Sequence, residues 1–269
     1  MTTEGIVVVK IMLTDDQRRR YARNISLEGV GEAGQVKLLA ARVLVVGAGG
    51  LGSAAISYLA AAGVGHIGVV DYDRVELSNL QRQILFEQGD IGRLKAESAR
   101  DRIHELNPDV RVSVYAEKLD AKNTRALIEQ YEIVADGSDN FATRFAVNEA
   151  CHGAKKPLVS AAIRAWEGQL ATFKSYLGPE EPCYRCFVGA NPDDERGCAD
   201  VGVIGALAGV IGSMQALEVV KELLGIGSFA GQLLLLDART LKTRTVKLTR
   251  DPACECCGKG QKALKKKSV

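Results

Sequence analysis

The chain has almost no net charge. Its 269 residues carry 35 Lys and Arg against 33 Asp and Glu, a formal balance of +2. Nothing in that balance calls for a nucleic-acid surface. Much of the small excess sits at the end, at Lys259, Lys262, Lys265, Lys266 and Lys267, where a solvated Lys-rich tail (259–269) accounts for it. A secretory leader is not expected either: Ile6-Val7-Val8-Val9 is too short for an apolar h-region, and Lys10 interrupts it. Residues 201–217 imitate a membrane span, because they hold no charge and Gly205 and Gly209 make a GxxxG. That run is at the lower edge of spanning length and is closed by Asp200 and Glu218. It is expected as a core or subunit-interface helix. Histidine is scarce, and His66, His104 and His152 show no pairing that would give them a role. The cysteines number seven, an odd count without an export signal, which disfavours a disulfide framework and favours metal or thiol chemistry. No linker and no internal repeat divide the chain, so a single cytoplasmic domain without a membrane role is expected.

What is present is an α/β pattern. Thr14 with Asp15-Asp16-Gln17 reads as a helix start, and that helix would carry Arg18, Arg19, Arg20 and Arg23. Val43–Val46 is a continuous apolar run of the kind buried on both faces of a parallel sheet. Helices are expected over 51–62, 90–106 and 141–151, and strands over 66–70, 110–116, 133–135 and 157–161. The alternation implies a doubly wound, Rossmann-like, mostly parallel sheet. Residues 169–173, 232–237 and 243–248 look like strands without crossover helices, an antiparallel extension of the same sheet. The expected unit spans 1–258, with N-terminal helices over 14–41, a nucleotide-binding core over 42–162 and a C-terminal part over 163–258.

Gly47-Ala48-Gly49-Gly50-Leu51-Gly52 follows the first strand and opens a helix. Gly47, Gly49 and Gly52 satisfy G-x-G-x-x-G in the context a nucleotide site requires. Asp71 ends the second strand, where an acidic residue binds ribose hydroxyls. Arg82 and Lys95 flank the expected crevice, and Asp139 lies just past a strand's carboxyl end. Two cations and a carboxylate suit a triphosphate with Mg²⁺. An NAD-dependent oxidoreductase and a catalytically silent nucleotide-binding scaffold are the competing readings.

Cys183-Tyr184-Arg185-Cys186 and Cys254-Glu255-Cys256-Cys257 contain two C-x-x-C pairs, Cys183/Cys186 and Cys254/Cys257. Four thiolates suit a closed structural Zn²⁺ site, here one that clips the C-terminus onto the body. Cys256 is an extra thiol able to substitute for a ligand. Cys198 stands alone in a polar stretch after Asp193-Asp194-Glu195. It is a small core residue or, ahead of a helix N-terminus, a nucleophile with a lowered pKa.

These motifs, in this order, resemble the MoeB/ThiF-like (HesA/MoeB/ThiF) adenylyltransferases, relatives of ubiquitin-activating enzymes. The resemblance rests on Arg20-Tyr21-Ala22-Arg23-Asn24, Gly47–Gly52, Asp71-Tyr72-Asp73, Ser78–Gln83, Lys95, Ser138-Asp139-Asn140, Gly168-Gln169 and the cysteine pairs, over about residues 13–258. It implies Mg·ATP and a ubiquitin-like sulfur-carrier protein ending in Gly-Gly, whose carboxylate attacks the α-phosphate and releases pyrophosphate. It implies nucleotide contacts from Gly50, Asp71, Ser78, Asn79, Leu80, Gln81, Arg82, Lys95, Asp139 and Asn140. It also implies a homodimer in which Arg23 reaches the neighbouring site. Cys198 matches a cysteine that bonds covalently to the carrier in some members, which leaves a modifier-activating enzyme with a Cys198 thioester as the alternative. Asn24 stands where the family commonly has glutamine. No rhodanese-like domain follows the second cysteine pair, so a separate sulfur donor is expected.

Overall fold

The structure, a computed structural model, describes residues 12–189 and 202–258; Cys198 and the Lys-rich tail lie outside the described residues. One eight-stranded sheet organises the chain, in the order β3-β2-β1-β4-β5-β6-β7-β8. The strands are β1 (Arg42–Val46), β2 (His66–Val70), β3 (Arg111–Tyr115), β4 (Ile133–Asp136), β5 (Leu158–Arg164), β6 (Glu167–Phe173), β7 (Gln232–Asp237) and β8 (Lys242–Lys247). β1 to β5 pair in parallel, and β6, β7 and β8 continue the sheet antiparallel, as the sequence pattern implies.

The unbroken apolar run of β1 follows from its two covered faces. Val43 and Val45 enter one core with Ile67, Val69, Ile133 and Ile211; Leu44 and Val46 enter the other with Val134, Ile128 and Val147. The helices are α1 (Asp15–Arg20), α2 (Ala22–Ile25), α3 (Gly31–Ala40), α4 (Gly50–Ala62), α5 (Lys95–Leu106), α6 (Thr124–Ile128), α7 (Phe141–Ala154), α8 (Tyr184–Val188) and α9 (Gly205–Leu224).

Two helices differ from expectation. The N-terminal helix breaks at Tyr21, which is buried and accepts at its hydroxyl from Asn107 Nδ2 at 2.9 Å, so a tertiary contact overrides the local pattern. The helix expected from Asp90 begins only at Lys95. Residues 88–90 form a single 3₁₀ turn, and Gly92 has φ +88°. Lys95 N–H donates to Asp73 O at 2.9 Å and Val75 N–H to Arg93 O at 2.9 Å, so the chain from 71 to 95 folds back on itself.

The charge-free run becomes α9, which lies across α4, β5 and β6 and buries Leu207, Ala208, Ile211, Ala216 and Val219. Among the described residues no helix is long and apolar enough to cross a membrane. The buried carboxylate of Glu218 on α9 accepts from Thr172 Oγ1 at 3.1 Å and Phe229 N at 2.6 Å, tying the helix to β6. The close helix crossing depends on Gly212, where a Cβ would stand 2.3 Å from Leu51 O; at Gly209 nothing lies within 4 Å. Gly212→Ala is therefore expected to lower stability by roughly 2 kcal/mol, while Gly209→Ala leaves it unchanged or raises it by up to about 1 kcal/mol. Thermal denaturation of the two variants side by side checks this.

Candidate functional site

β1, β2 and β4 run parallel and stop in register, so the loops that leave Val46, Val70 and Asp136 gather at one end of the sheet. They enclose a cavity of about 310 Å³. The glycine turn forms its floor. Gly47 has φ +89°, and at Gly52 a Cβ would fall 1.9 Å from Gly47 O, so only glycine lets the turn close this tightly. α4 starts at Gly50 with no side chain capping it, so its first N–H groups face the cavity as anion donors.

Gly47, Gly49, Gly50, Asp71, Asn79, Arg82, Lys95 and Asp139 all line this cavity. Asp71 is locked in place, with Oδ2 accepting from Ala48 N at 2.8 Å and Oδ1 from Asp73 N at 2.9 Å. Burial pushes its carboxyl up, against the opposing pull of Lys95 and the Ala48 N–H. Lys95, at the first turn of α5, is buried and paired with Asp73 at 3.1 Å. Arg82 Nη1 donates to Ser78 O at 3.0 Å, which leaves the rest of its fork available. Asp139 is exposed beside the α7 N-terminus.

The remaining residues singled out in the sequence fall elsewhere. Gly52 is inside α4 and shapes the turn without lining the cavity. Ser78 and Gln81 are exposed beyond the wall, and Leu80 packs against the hydrophobic core. Asn140 lines a smaller neighbouring pocket, and its Oδ1 caps α7 by accepting from Thr143 N at 2.9 Å. Arg23 is exposed on α2 and does not line this cavity. Cys198 lies outside the described residues.

The cavity also holds residues to which the sequence pattern assigned no role: Asp73, Arg74, Glu76, Gln83 and Arg144. Four cations (Arg74, Arg82, Lys95, Arg144) thus face four carboxylates (Asp71, Asp73, Glu76, Asp139), so the cavity is near balance rather than strongly positive. A polyanion entering it would compete with Asp73 for Lys95. Gln83 Oε1 and Ser138 Oγ are buried without a partner among the described residues, as expected of polar groups that await a ligand or water.

One turn further along α7 from Arg144, at Asn148, the two cysteine pairs meet. The Sγ atoms of Cys183, Cys186, Cys254 and Cys257 all lie within 4.8 Å of one another. The separations are 3.9 Å for Cys183–Cys186, 3.6 Å for Cys183–Cys254 and 3.4 Å for Cys186–Cys257. Cys256 is buried alongside but outside this set, and accepts from Asn148 Nδ2 at 3.3 Å. Arg185 anchors the first knuckle to α7, pairing with Glu149 at 2.7 Å and standing 4.2 Å over the Phe145 ring.

The ThiF family profile matches residues 21–256. The chain belongs to the ThiF family. Within it, the chain is 47% identical over 249 residues to the adenylyltransferase and sulfurtransferase MOCS3 of Culex quinquefasciatus, covering 91% of this chain and 56% of that relative. The chain thus spans little more than half the length of that protein. It is 46% identical over 250 residues to the sulfur carrier protein adenylyltransferase of Thermus thermophilus, covering 91% of this chain and 92% of that one. The crystal structure of E. coli MccB with MccA-N7isoASN shares the fold, with a TM-score of 0.76 at 23% identity over 90% of this chain and 74% of that one.

In this ThiF-family chain the four thiols fit a tetrahedral ion. Metal–sulfur bonds of about 2.3 Å place sulfurs about 3.8 Å apart, close to the separations found. Without a cation, the contact with Cys183 and burial push the Cys186 thiol up to about 12, so four thiolates persist here only when a metal offsets their charge. Co²⁺ added to the metal-free protein is expected to give the intense charge-transfer bands of a four-thiolate tetrahedral site. Cys254→Ser is expected to weaken and shift those bands and to lower Tm by roughly 5 °C. A silent absorption spectrum with one equivalent of Co²⁺ contradicts the assignment.

Proposed function

We propose that this protein is an ATP-dependent adenylyltransferase that activates the C-terminal carboxylate of a ubiquitin-like sulfur-carrier protein ending in Gly-Gly. The observation that carries this reading is the cavity itself: a glycine turn and helix N-terminus for phosphates, a locked acid at the end of β2, and cations that converge from the excursion after β2 and from helices α5 and α7. The relatives named above are adenylyltransferases by name, and similarity to them extends over 91% of this chain.

In this mechanism Asp71, held by two backbone N–H groups, accepts the ribose hydroxyls. Arg82 and Lys95 take the β- and γ-phosphates, Lys95 exchanging Asp73 for the ligand. Asp139 would hold a Mg²⁺ ion, which would supply positive charge to offset that of the triphosphate. A carrier carboxylate oxygen attacks the α-phosphorus, the bond from that phosphorus to the bridging oxygen breaks, and the electron pair leaves with pyrophosphate. The product is an acyl-adenylate, and the residues act by positioning and by charge rather than as a base. Cys183, Cys186, Cys254 and Cys257 would hold a Zn²⁺ ion that would clip the C-terminal segment to the body, a structural role outside the chemistry.

A second copy of the chain completes the assembly. Arg23 does not line its own cavity, and near it Asn24, Leu27, Val30, Tyr58, Leu217 and Val220 line an apolar groove. This groove is where we place the partner, whose Arg23 would then enter the site from outside.

Carrier-dependent exchange of labelled pyrophosphate into ATP tests the reaction. Arg82→Ala and Asp139→Ala are each expected to reduce exchange at least about 100-fold with Tm unchanged, the size of effect seen when one transition-state charge partner is removed. Wild-type exchange in either variant removes its role. Cys198→Ala is expected to leave exchange intact, and its loss would contradict a function confined to later transfer steps.

A further inference from the structure

The cysteine site and the cavity share a wall. Tyr184 sits between the ligand candidates Cys183 and Cys186, and its N–H donates to Asn148 Oδ1 at 2.8 Å. The same Asn148 donates from Nδ2 to Cys256 Sγ, so one buried amide on α7 spans both knuckles. The Tyr184 ring is buried edge-on against Phe145 and Phe173, each with centroids 5.9 Å apart. Its face lies 5.9 Å from the guanidinium of Arg144.

Arg144 is 6% exposed, and among the described residues no carboxylate forms an ion pair with it. It donates to Ser160 Oγ at 3.2 Å, to Ala161 O at 2.9 Å and to Ser138 O, and it lines the cavity. A buried cation held only by neutral oxygens and a ring is costly, and a bound anion would offset that cost. Its place depends on each support, and Tyr184, by its ring and its hydroxyl, is the support that belongs to the cysteine knuckle.

We propose that Tyr184 is a positioning residue that couples the metal site to the cavity. A metal on the four cysteines fixes the knuckle, the knuckle fixes the Tyr184 ring, and the ring holds Arg144 toward a bound polyphosphate while Arg144 secures the Ser138 carbonyl beside Asp139. This rests on the nucleotide reading given above. The coupling is reciprocal: whatever factor the metal contributes to nucleotide affinity, the nucleotide contributes to metal affinity.

The test is calorimetric titration of ATP into the full chain, metal-loaded and metal-free, for wild type, Tyr184→Phe and Tyr184→Leu, with Co²⁺ spectra recorded in parallel. Loaded wild type is expected to bind ATP about tenfold more tightly than metal-free wild type, the scale of one charge-assisted contact. ATP is expected to tighten Co²⁺ binding by the same factor. Tyr184→Leu is expected to keep the four-thiolate spectrum, bind ATP like the metal-free protein and show no further loss when metal is removed; Tyr184→Phe, which keeps the ring but loses the hydroxyl contact with Arg144, is expected to fall between wild type and Tyr184→Leu. In pyrophosphate exchange the Leu variant is expected to raise the KM for ATP more than it lowers kcat. ATP binding that ignores both the metal and the ring overturns the proposal alone. The wild-type comparison of loaded and metal-free protein decides the matter even if Tyr184→Leu fails to fold. No ATP binding by loaded wild type overturns the nucleotide reading together with it.

Discussion

The site depends on strands that stop together. β1, β2 and β4 are parallel neighbours in register, and their carboxyl ends must shed three loops into the same space. The hydrogen bond from Ala48 N to Asp71 Oδ2 then closes the first loop against the second. Gly52 permits that closure because a side chain there would collide with Gly47 O. Every group assigned to the nucleotide acts from a backbone that this closure fixes. The reaction proposed for the site is the approach of two anions, and fixed donors in fixed places are what such a reaction needs.

The fold was legible where the signal was local and repeated. The Val43–Val46 run, the glycine turn after it and the alternation of strand and helix came from the covered faces of a parallel sheet, and the structure follows them with small shifts at the ends. The misplaced elements were those set by distant contacts. The N-terminal helix breaks because Tyr21 docks on Asn107, 86 residues away. α5 starts late because Asp73 holds Lys95 by backbone and side chain alike.

The candidate site divides the same way. Asp71 stood at a readable strand end, and the C-x-x-C pairs carried their own spacing. Asp73 as the partner of Lys95 was not readable, because the excursion that joins them has no periodic pattern. Arg144 was missed because an arginine inside an amphipathic helix reads as a surface charge. Only the tertiary structure turns it inward, onto Ser160, Ala161 and the Tyr184 ring. Its burial also changes the electrostatic picture. The cavity is not a plain positive funnel; it is a near-balanced set of charges in which a polyphosphate would displace internal partners.

The central claim is that this cavity directs a carrier's carboxylate to the first phosphorus of ATP. The most direct measurement follows the label when the protein, a Gly-Gly carrier and Mg²⁺ are given ATP radiolabelled in either its α- or its γ-phosphate. The account predicts that α-label appears on the carrier, γ-label appears only in pyrophosphate, and both depend on the carrier's terminal carboxylate. γ-label on the carrier, or release of inorganic phosphate in place of pyrophosphate, would contradict it.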